Sequence, residues 1–183
     1  MAEFLDIVDE YGNPTGEIVD REKAHTEGIR HRTSHVWILR HGADGVEVLL
    51  QKRSQNKDSF PGCYDISSAG HIPAGIEWKE SALRELEEEL GIDWICEEDL
   101  LLCGQRKITH DDEFHGKPFV DRQLSNIYCL WLDVEPSKLR LQEEEVESVV
   151  WMNLADCKHR IATEDPSFQH AIVLEELEML PRV

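Results

Sequence analysis

Three glutamates in one short segment are the residues of this chain best suited to chemistry. Glu85, Glu88 and Glu89 are three and four residues apart, so on a helix they share one face, while Leu86 and Leu90 fall roughly opposite. Two carboxylates about 4 Å apart repel by on the order of 4 kcal/mol at an effective dielectric of about 20. A divalent cation reverses that repulsion, and Mg²⁺ prefers oxygen ligands. The cluster predicts a metal site, with a solvated acidic face as the alternative.

The flanks of this segment favour the metal site. Residues 67–70 form a run of small side chains that predicts the end of a strand, where backbone passes close to another group. Gly91 predicts a left-handed helix cap. The expected order is strand, glycine loop, acidic helix and glycine stop.

Residues 70–92 resemble the Nudix box, a pattern of spaced glycines, glutamates and aliphatic residues. The positions in register are Gly70, Arg84, Glu85, Leu86, Glu88, Glu89, Gly91 and Ile92. One position departs, because the first glutamate of the pattern falls on Ile76 and Glu77 comes one residue later. In the family that glutamate mostly helps to position the helix, so the departure affects a supporting contact to Arg84 more than the metal site.

The resemblance implies a metal-dependent pyrophosphohydrolase, a hydrolase acting on acid anhydrides. Mg²⁺ or Mn²⁺ would be held by Glu85, Glu88 and Glu89, helped by the carbonyl of Gly70, while Arg84 orients Glu85. The general base is left open. Glu88, Glu89 and a carboxylate from the acidic run at residues 143–147 are the candidates.

The expected substrate is a small diphosphate, typically a nucleoside diphosphate derivative. Lys52 and Arg53, at a predicted strand end near the box, are candidate phosphate contacts. Trp37, Trp78 and Tyr64 are candidates for stacking on a base, although core packing is the simpler use of Trp37.

A broader resemblance points to one branch of the family, that of isopentenyl-diphosphate isomerase and its hydrolase relatives. Its short motifs include residues 24–26, 31–32, 51–54, 60–62 and 68–71. In the isomerase, histidines near these positions hold a metal. The resemblance therefore implies a candidate second metal site at His25, His31 and His71, with Asp121 as a further ligand, and surface or hydrogen-bonded histidines as the alternative.

Two other functions compete with hydrolysis. The isomerase needs a catalytic cysteine just before the Gly-His pair and a glutamate after the long central loop, where this chain has Ala69 and Gln123. A non-catalytic ligand sensor on the same scaffold usually has eroded glutamates, whereas this acidic helix is intact. Hydrolysis is therefore the favoured interpretation.

The composition limits the partners. The 183 residues carry a formal net charge of −19, which disfavours nucleic-acid backbones and anionic membranes. No apolar run approaches the roughly 20 residues that span a bilayer. The acidic start lacks a signal-peptide pattern and the five cysteines include no Cys-x-x-Cys, so a cytoplasmic protein is expected. The family resemblance also allows a homodimer.

The pattern along the chain predicts a single Nudix domain over residues 1–183. It begins with a hairpin at 4–20, continues with a strand at 64–68, the box at 70–92 and a polar loop at 110–118, and closes with an amphipathic helix at about 166–180. Strands and helices mixed in this order predict an α+β fold. The Nudix resemblance implies an α/β/α sandwich with a mixed central sheet.

Overall fold

A mixed sheet forms the centre of the protein in a computed structural model that describes residues 3–57, 60–114, 116–169 and 172–181. The strands are β1 Phe4–Val8, β2 Pro14–Asp20, β3 His31–Gly42, β4 Gly45–Arg53, β5 Tyr64–Asp65, β6 Ser68–His71, β7 Leu101–Phe114, β8 Lys117–Trp131 and β9 Val146–Asn153. The helices are α1 Arg21–Glu27, α2 Trp78–Leu90, α3 Leu154–Ala162 and α4 Leu174–Met179, with short 3₁₀ turns at Glu97–Asp99 and Pro136–Lys138. None of the described helices is long and apolar enough to cross a bilayer.

Seven strands make up the central sheet, in the order β5-β4-β3-β8-β7, with β6 paired to β3 and β9 paired to β4. The β3–β8 pair is parallel and the other pairs are antiparallel. Strands β1 and β2 form a separate antiparallel hairpin. The predicted mixed sheet is therefore confirmed.

Each face of the sheet has its own apolar core, because successive side chains of a strand point to opposite faces. On β3, Val36 and Ile38 pack towards α2, whereas Trp37 and Leu39 pack towards α3 and α4. The helical residues in these two cores are Ala82, Leu86 and Leu90 on one face and Leu154, Cys157 and Leu177 on the other. Helices on both faces of a sheet make the α/β/α sandwich that the family resemblance implied.

Gly91 ends α2 as predicted. Its φ of 69° lies in the left-handed region, and its N–H donates to the carbonyl of Glu87. The N–H of Ile92 then donates to the carbonyl of Leu86. The cap fixes where the acidic helix stops.

Three sequence predictions of local structure were wrong. The predicted loop at 110–118 is mostly strand, because β7 continues to Phe114 and β8 begins at Lys117, so that His110 pairs with Asp121 and Asp112 pairs with Phe119. Residue 115 of this range lies outside the described residues. The acidic side chains there are exposed, so their polarity reflects solvent contact rather than absence of a strand. The predicted strand at 64–68 is two short strands, β5 and β6.

The third error concerns the closing helix, predicted at about 166–180, which covers Leu174–Met179 among the described residues, while residues 170 and 171 lie outside them. The chain before it lies along β5, where Tyr64 N donates to the carbonyl of Ser167 and Phe168 forms an isolated bridge with Tyr64. Helices α1 and α3 were missed, although Asp20 and Asn153 are side-chain N-caps of a common type.

Leu86 gives a test of the packing of the acidic helix. Its side chain is fully buried between α2 and the sheet. We expect Leu86→Ala to lower the free energy of unfolding by about 2–5 kcal/mol, because the truncation leaves a cavity. Chemical denaturation measures this. Leu102→Ala, at a position 60% exposed, is the matched control and should change the value by less than about 0.5 kcal/mol. Equal effects of the two substitutions would contradict this packing.

Candidate active site

The structure brings the three predicted metal-binding glutamates to one side of α2. Glu89 is buried, Glu85 is partly buried, and the Glu88 side chain is 54% exposed. Leu86 and Leu90 point into the core on the other side. The three carboxylates thus differ in solvent exposure, from the buried Glu89 to the exposed Glu88.

Two side chains from neighbouring strands hold the Glu89 carboxylate. Gln51 Nε2 and Ser68 Oγ donate to Glu89 Oε2 over 2.8 and 2.9 Å. Burial raises the pKa of Glu89 to about 8, the negative charge of Glu85 adds to this, and the two hydrogen bonds oppose it. A bound cation would offset the cost of charging this buried carboxylate, so Glu89 is suited to be a metal ligand.

Arg84 contacts the other two glutamates. Its Nη2 lies 2.7 Å from Glu85 Oε1, and its Nε lies 3.9 Å from Glu88 Oε1. Burial raises the pKa of Glu85, and the hydrogen bond from Arg84 partly offsets this shift. Arg84 therefore lies beside Glu85, the residue that it was predicted to orient.

Gly70 lies directly against Glu85. A Cβ atom on Gly70 would fall 2.3 Å from Glu85 Cδ, so a larger residue would displace the carboxylate. The expected close approach of the backbone at the end of this strand is present. Glu85 reaches β6 only because this position lacks a side chain.

The loop before α2 is held without the glutamate that the box pattern places at residue 76. Arg32 Nη2 donates to Ile76 O over 3.0 Å and to Asp6 Oδ2 over 2.9 Å. Asp6 Oδ2 also accepts from Gly75 N over 2.9 Å. A buried ion pair between β1 and β3 thus fixes the loop at the position where the sequence departs from the pattern.

A cavity of about 1160 Å³ opens beside the acidic helix. Its lining includes Gly70, Arg84, Glu85, Glu88 and Glu89. All of the residues predicted to hold the first metal or to act with it therefore face one space, which is large enough for a small-molecule ligand.

One of the two predicted phosphate contacts lines this cavity. Arg53 does so, with its Nη1 2.7 Å from Asp65 Oδ2, and Lys57, which the sequence analysis missed, joins it while paired with Glu145. Lys52 is not among the described lining residues, and its Nζ lies 2.8 Å from Glu147 Oε1. Side chains alternate along β4, so the neighbours Lys52 and Arg53 point to different sides.

The acidic run at residues 143–147 is divided in the same way. Glu144 and Glu145 line the cavity, and Gln142 N donates to the carbonyl of Glu89, which places the run beside the end of α2. Glu147 instead accepts from Lys52 and Gln55. Two carboxylates of the run thus remain candidates for the general base.

The predicted base-stacking residues lie outside the described lining. Trp37 is fully buried, Trp78 lies under Arg32, and Tyr64 packs against Phe168. The phenylalanine side chains that do line the cavity are Phe4, Phe60 and Phe119.

The three histidines of the candidate second site meet at one point. Their ligand nitrogens all lie within 4.8 Å of one another, with 3.2 Å between His25 Nε2 and His71 Nε2. Asp121 Oδ1 lies 3.6 Å from His25 Nε2 and 3.9 Å from His31 Nε2. His25, His71 and Asp121 also line the cavity, so both candidate metal sites face the same space.

The protonation pattern of this cluster fits a metal. The Nδ1 atoms of His25 and His31 face the carbonyls of Arg21 and Ile29 over 2.9 and 2.8 Å, so each donates there and keeps a lone pair on Nε2. Burial lowers the pKa of His31 to about 4 and that of His71 well below its usual value, which keeps the rings neutral. His31 Nε2 and Asp121 Oδ1 are buried without a hydrogen-bond partner. A cation would satisfy both atoms.

Comparison with known proteins decides the family. The NUDIX domain profile matches residues 30–172. The chain belongs to the Nudix family. Nudix hydrolase 3 of Arabidopsis thaliana is 37% identical over 171 residues, which are 91% of this chain and 21% of that protein. An uncharacterised Nudix hydrolase of Clostridium acetobutylicum is 38% identical over 148 residues, which are 81% of this chain and 68% of that one.

A solved structure shares the whole fold of this chain. DR0079 from Deinococcus radiodurans superposes with a TM-score of 0.69 over 98% of this chain and 100% of its own, at 18% identity. The Nudix relatives are named as hydrolases, which act on pyrophosphate bonds, so the prediction of this enzyme class is confirmed at the level of the family. This Nudix chain spans about a fifth of the Arabidopsis protein, and only the shared domain is compared.

Proposed function

We propose that this Nudix protein hydrolyses a diphosphate linkage in a nucleoside diphosphate derivative or a similar small molecule. The proposal is carried by one observation, the convergence of Glu85, Glu88 and Glu89 on a cavity that also contains cationic side chains. Bound Mg²⁺ or Mn²⁺ would polarise the phosphoryl oxygens and activate a water for attack on phosphorus.

The chain's own residues have distinct parts in this proposal. Glu89 is fixed by Gln51 and Ser68, while Arg84 orients Glu85. Glu88 is exposed to the cavity and is free of the burial that disfavours charge on Glu89, so it suits the general base, with Glu144 and Glu145 as alternatives from the acidic run.

Substrate anions need partners in a protein of net charge −19. Arg53 and Lys57 supply them at the end of β4, where both line the cavity. Their guanidinium and ammonium groups suit phosphate oxygens. Lys52, which was predicted as a phosphate contact, has no such position in this proposal.

A substrate panel tests the proposal. Nucleoside diphosphate derivatives, including a nucleoside diphosphate sugar, ADP-ribose and a dinucleotide, are incubated with Mg²⁺ and the phosphate-containing products are measured. We expect hydrolysis of at least one compound and its loss on chelation with EDTA. Hydrolysis of none, or hydrolysis that survives EDTA, would contradict the proposal.

The same panel, with isopentenyl diphosphate added, separates the alternatives. A ligand sensor would bind a nucleotide tightly without turnover under any divalent metal. An isomerase would convert isopentenyl diphosphate, but Ala69 and Gln123 stand where that reaction needs a thiol and a carboxylate. We expect no isomerisation.

The histidine cluster is proposed as a second metal site, as the resemblance to the isomerase branch implied. Three imidazoles and one carboxylate suit a transition metal such as Zn²⁺ or Mn²⁺ better than Mg²⁺. We expect wild-type protein to carry bound transition metal, and His25→Ala and His71→Ala to lose it. Elemental analysis measures the content, with exposed His159→Ala as the control. Unchanged metal in the two cluster variants would remove the second site.

Cytoplasmic location and a homodimer remain predictions. Light scattering of the purified protein tests the dimer.

A further inference from the structure

A buried carboxylate on the C-terminal helix reaches the sheet beneath the cavity. Glu176 has no exposed surface, and it accepts hydrogen bonds of 2.8 Å from His35 Nδ1, Trp37 Nε1 and Arg106 Nη1. Two of these donors share Oε1, and Arg106 contacts Oε2. Burial alone would raise the pKa of Glu176, but its donors together hold it below the usual value. The carboxylate is therefore charged and locked in direction.

A purely structural contact between α4 and the sheet does not require these charges. Leu177, the next residue, already packs into the core with no exposed surface. Desolvating an ion pair costs as much as the attraction returns in many proteins, and apolar replacements are often equally stable. The Glu176–Arg106 pair thus suggests a use beyond holding the helix.

Arg106 provides that use, because it lines the same cavity as the acidic helix. It lies on β7 opposite Ser125, and His35, which shares its partner Glu176, lies on β3 opposite Ala69, the residue before Gly70. The Glu176–Arg106 pair is thus linked through His35 to β6, the strand whose Gly70 contacts Glu85.

Arg106 differs from the other cations that line the described cavity in how deeply its carboxylate partner is buried. Each of these cations is paired with a carboxylate, and the partners are Glu3, Asp65, Glu85, Glu145 and Glu176. The side chains of the first four are 31%, 9%, 15% and 39% exposed, whereas that of Glu176 is fully buried. A guanidinium that is held in one position by a fixed carboxylate is preorganised to bind an anion in the cavity.

We propose that Arg106 binds a phosphate group of the substrate other than the group held at the acidic helix, and that Glu176, braced by His35 and Trp37, is its positioning residue. The proposal rests on the proposed diphosphate chemistry and deepens it. It makes the C-terminal helix a part of substrate recognition.

Binding of two phosphonates tests the subsite without turnover. Methylenediphosphonate carries two linked phosphorus groups and cannot be hydrolysed between them, whereas methylphosphonate carries one. Isothermal titration calorimetry in Mg²⁺ measures both. We expect Arg106→Gln to weaken methylenediphosphonate at least about tenfold, the loss of a charge-assisted hydrogen bond, and to leave methylphosphonate unchanged. An equal effect on the two ligands, or none, would overturn the subsite.

The Glu176→Gln variant tests the positioning role by the sign of its effect. If Glu176 acted only through its charge, its removal would strengthen anion binding, since less negative charge would remain near Arg106. Positioning instead predicts weaker methylenediphosphonate binding. Glu175→Gln and Glu178→Gln, exposed on the same helix, are matched controls that should change nothing. Stronger or equal binding in Glu176→Gln would overturn the positioning role.

Failure of the subsite can be told from failure of the proposed function. Wild-type protein that binds methylenediphosphonate in Mg²⁺, with Arg106→Gln equally competent, overturns the subsite alone. Wild-type protein that does not bind methylenediphosphonate overturns both. Arg106→Lys keeps a cation opposite Glu176 and therefore serves as a control for misfolding. It should bind methylenediphosphonate with an affinity between those of wild type and Arg106→Gln.

Discussion

Hydrolysis should fall by about 10²–10³-fold when either Glu88 or Glu89 is replaced by Gln, the scale seen when one group that stabilises transition-state charge is removed. The two positions differ in burial but share the helix face towards the cavity. Gln has the shape of Glu without its charge, so the change removes the negative charge that a metal ligand or a general base needs and leaves packing intact. Steady-state kinetics on the substrate found in the panel measures the fall.

Thermal unfolding separates this loss of activity from loss of fold. Gln at position 89 can still accept from Gln51 and Ser68, and it carries no charge that burial would disfavour, so Tm should stay the same or rise. Glu87→Gln is the matched control, because Glu87 is exposed on the same helix and lies outside the described cavity lining. Full activity in both Glu88→Gln and Glu89→Gln would show that the active site has been misassigned.

Gly70→Ala should lower hydrolysis by about 10²-fold, the effect of misplacing a reacting group by roughly 1 Å. The new methyl group would meet the Glu85 carboxylate, which must then leave its place beside β6. Affinity for Mg²⁺ should fall with activity, and calorimetry measures it alongside kinetics.

Gly42→Ala is a control of the same kind at a different place. A Cβ at Gly42 would lie 2.7 Å from Glu47 Cδ, and neither glycine has a left-handed backbone. Both substitutions therefore displace a glutamate, but Glu47 pairs with Arg40 outside the described cavity lining. Normal activity in Gly70→Ala, or an equal loss in Gly42→Ala, would contradict the role given to Glu85.

The acidic helix could be predicted from the sequence because its chemistry is local. Glu85, Glu88 and Glu89 share a helix face through their spacing alone, and Gly91 ends that helix through its own backbone preference. Their supports could not be predicted in this way. Gln51 and Ser68 reach Glu89 only through the packing of the sheet against α2, which no local pattern records.

The errors have a similar origin. The acidic residues of the β7–β8 hairpin lack alternating hydrophobicity, so only their pairing with the opposite strand reveals a strand. Arg106 and Glu176 are 70 positions apart, and nothing in the sequence links them. The three histidines come from three separate segments, and the isomerase resemblance was the only signal that grouped them.

Uptake of Mg²⁺ is the most direct test of the claim that the acidic helix binds a diphosphate through a divalent ion. Calorimetry with Mg²⁺, a cation that prefers oxygen to imidazole nitrogen, reports on α2 rather than on the histidine cluster. We predict that wild-type protein takes up Mg²⁺ more tightly with methylenediphosphonate present, and that the double variant Glu88→Gln/Glu89→Gln takes up none. Absence of uptake by the wild type, with and without methylenediphosphonate, would contradict the claim.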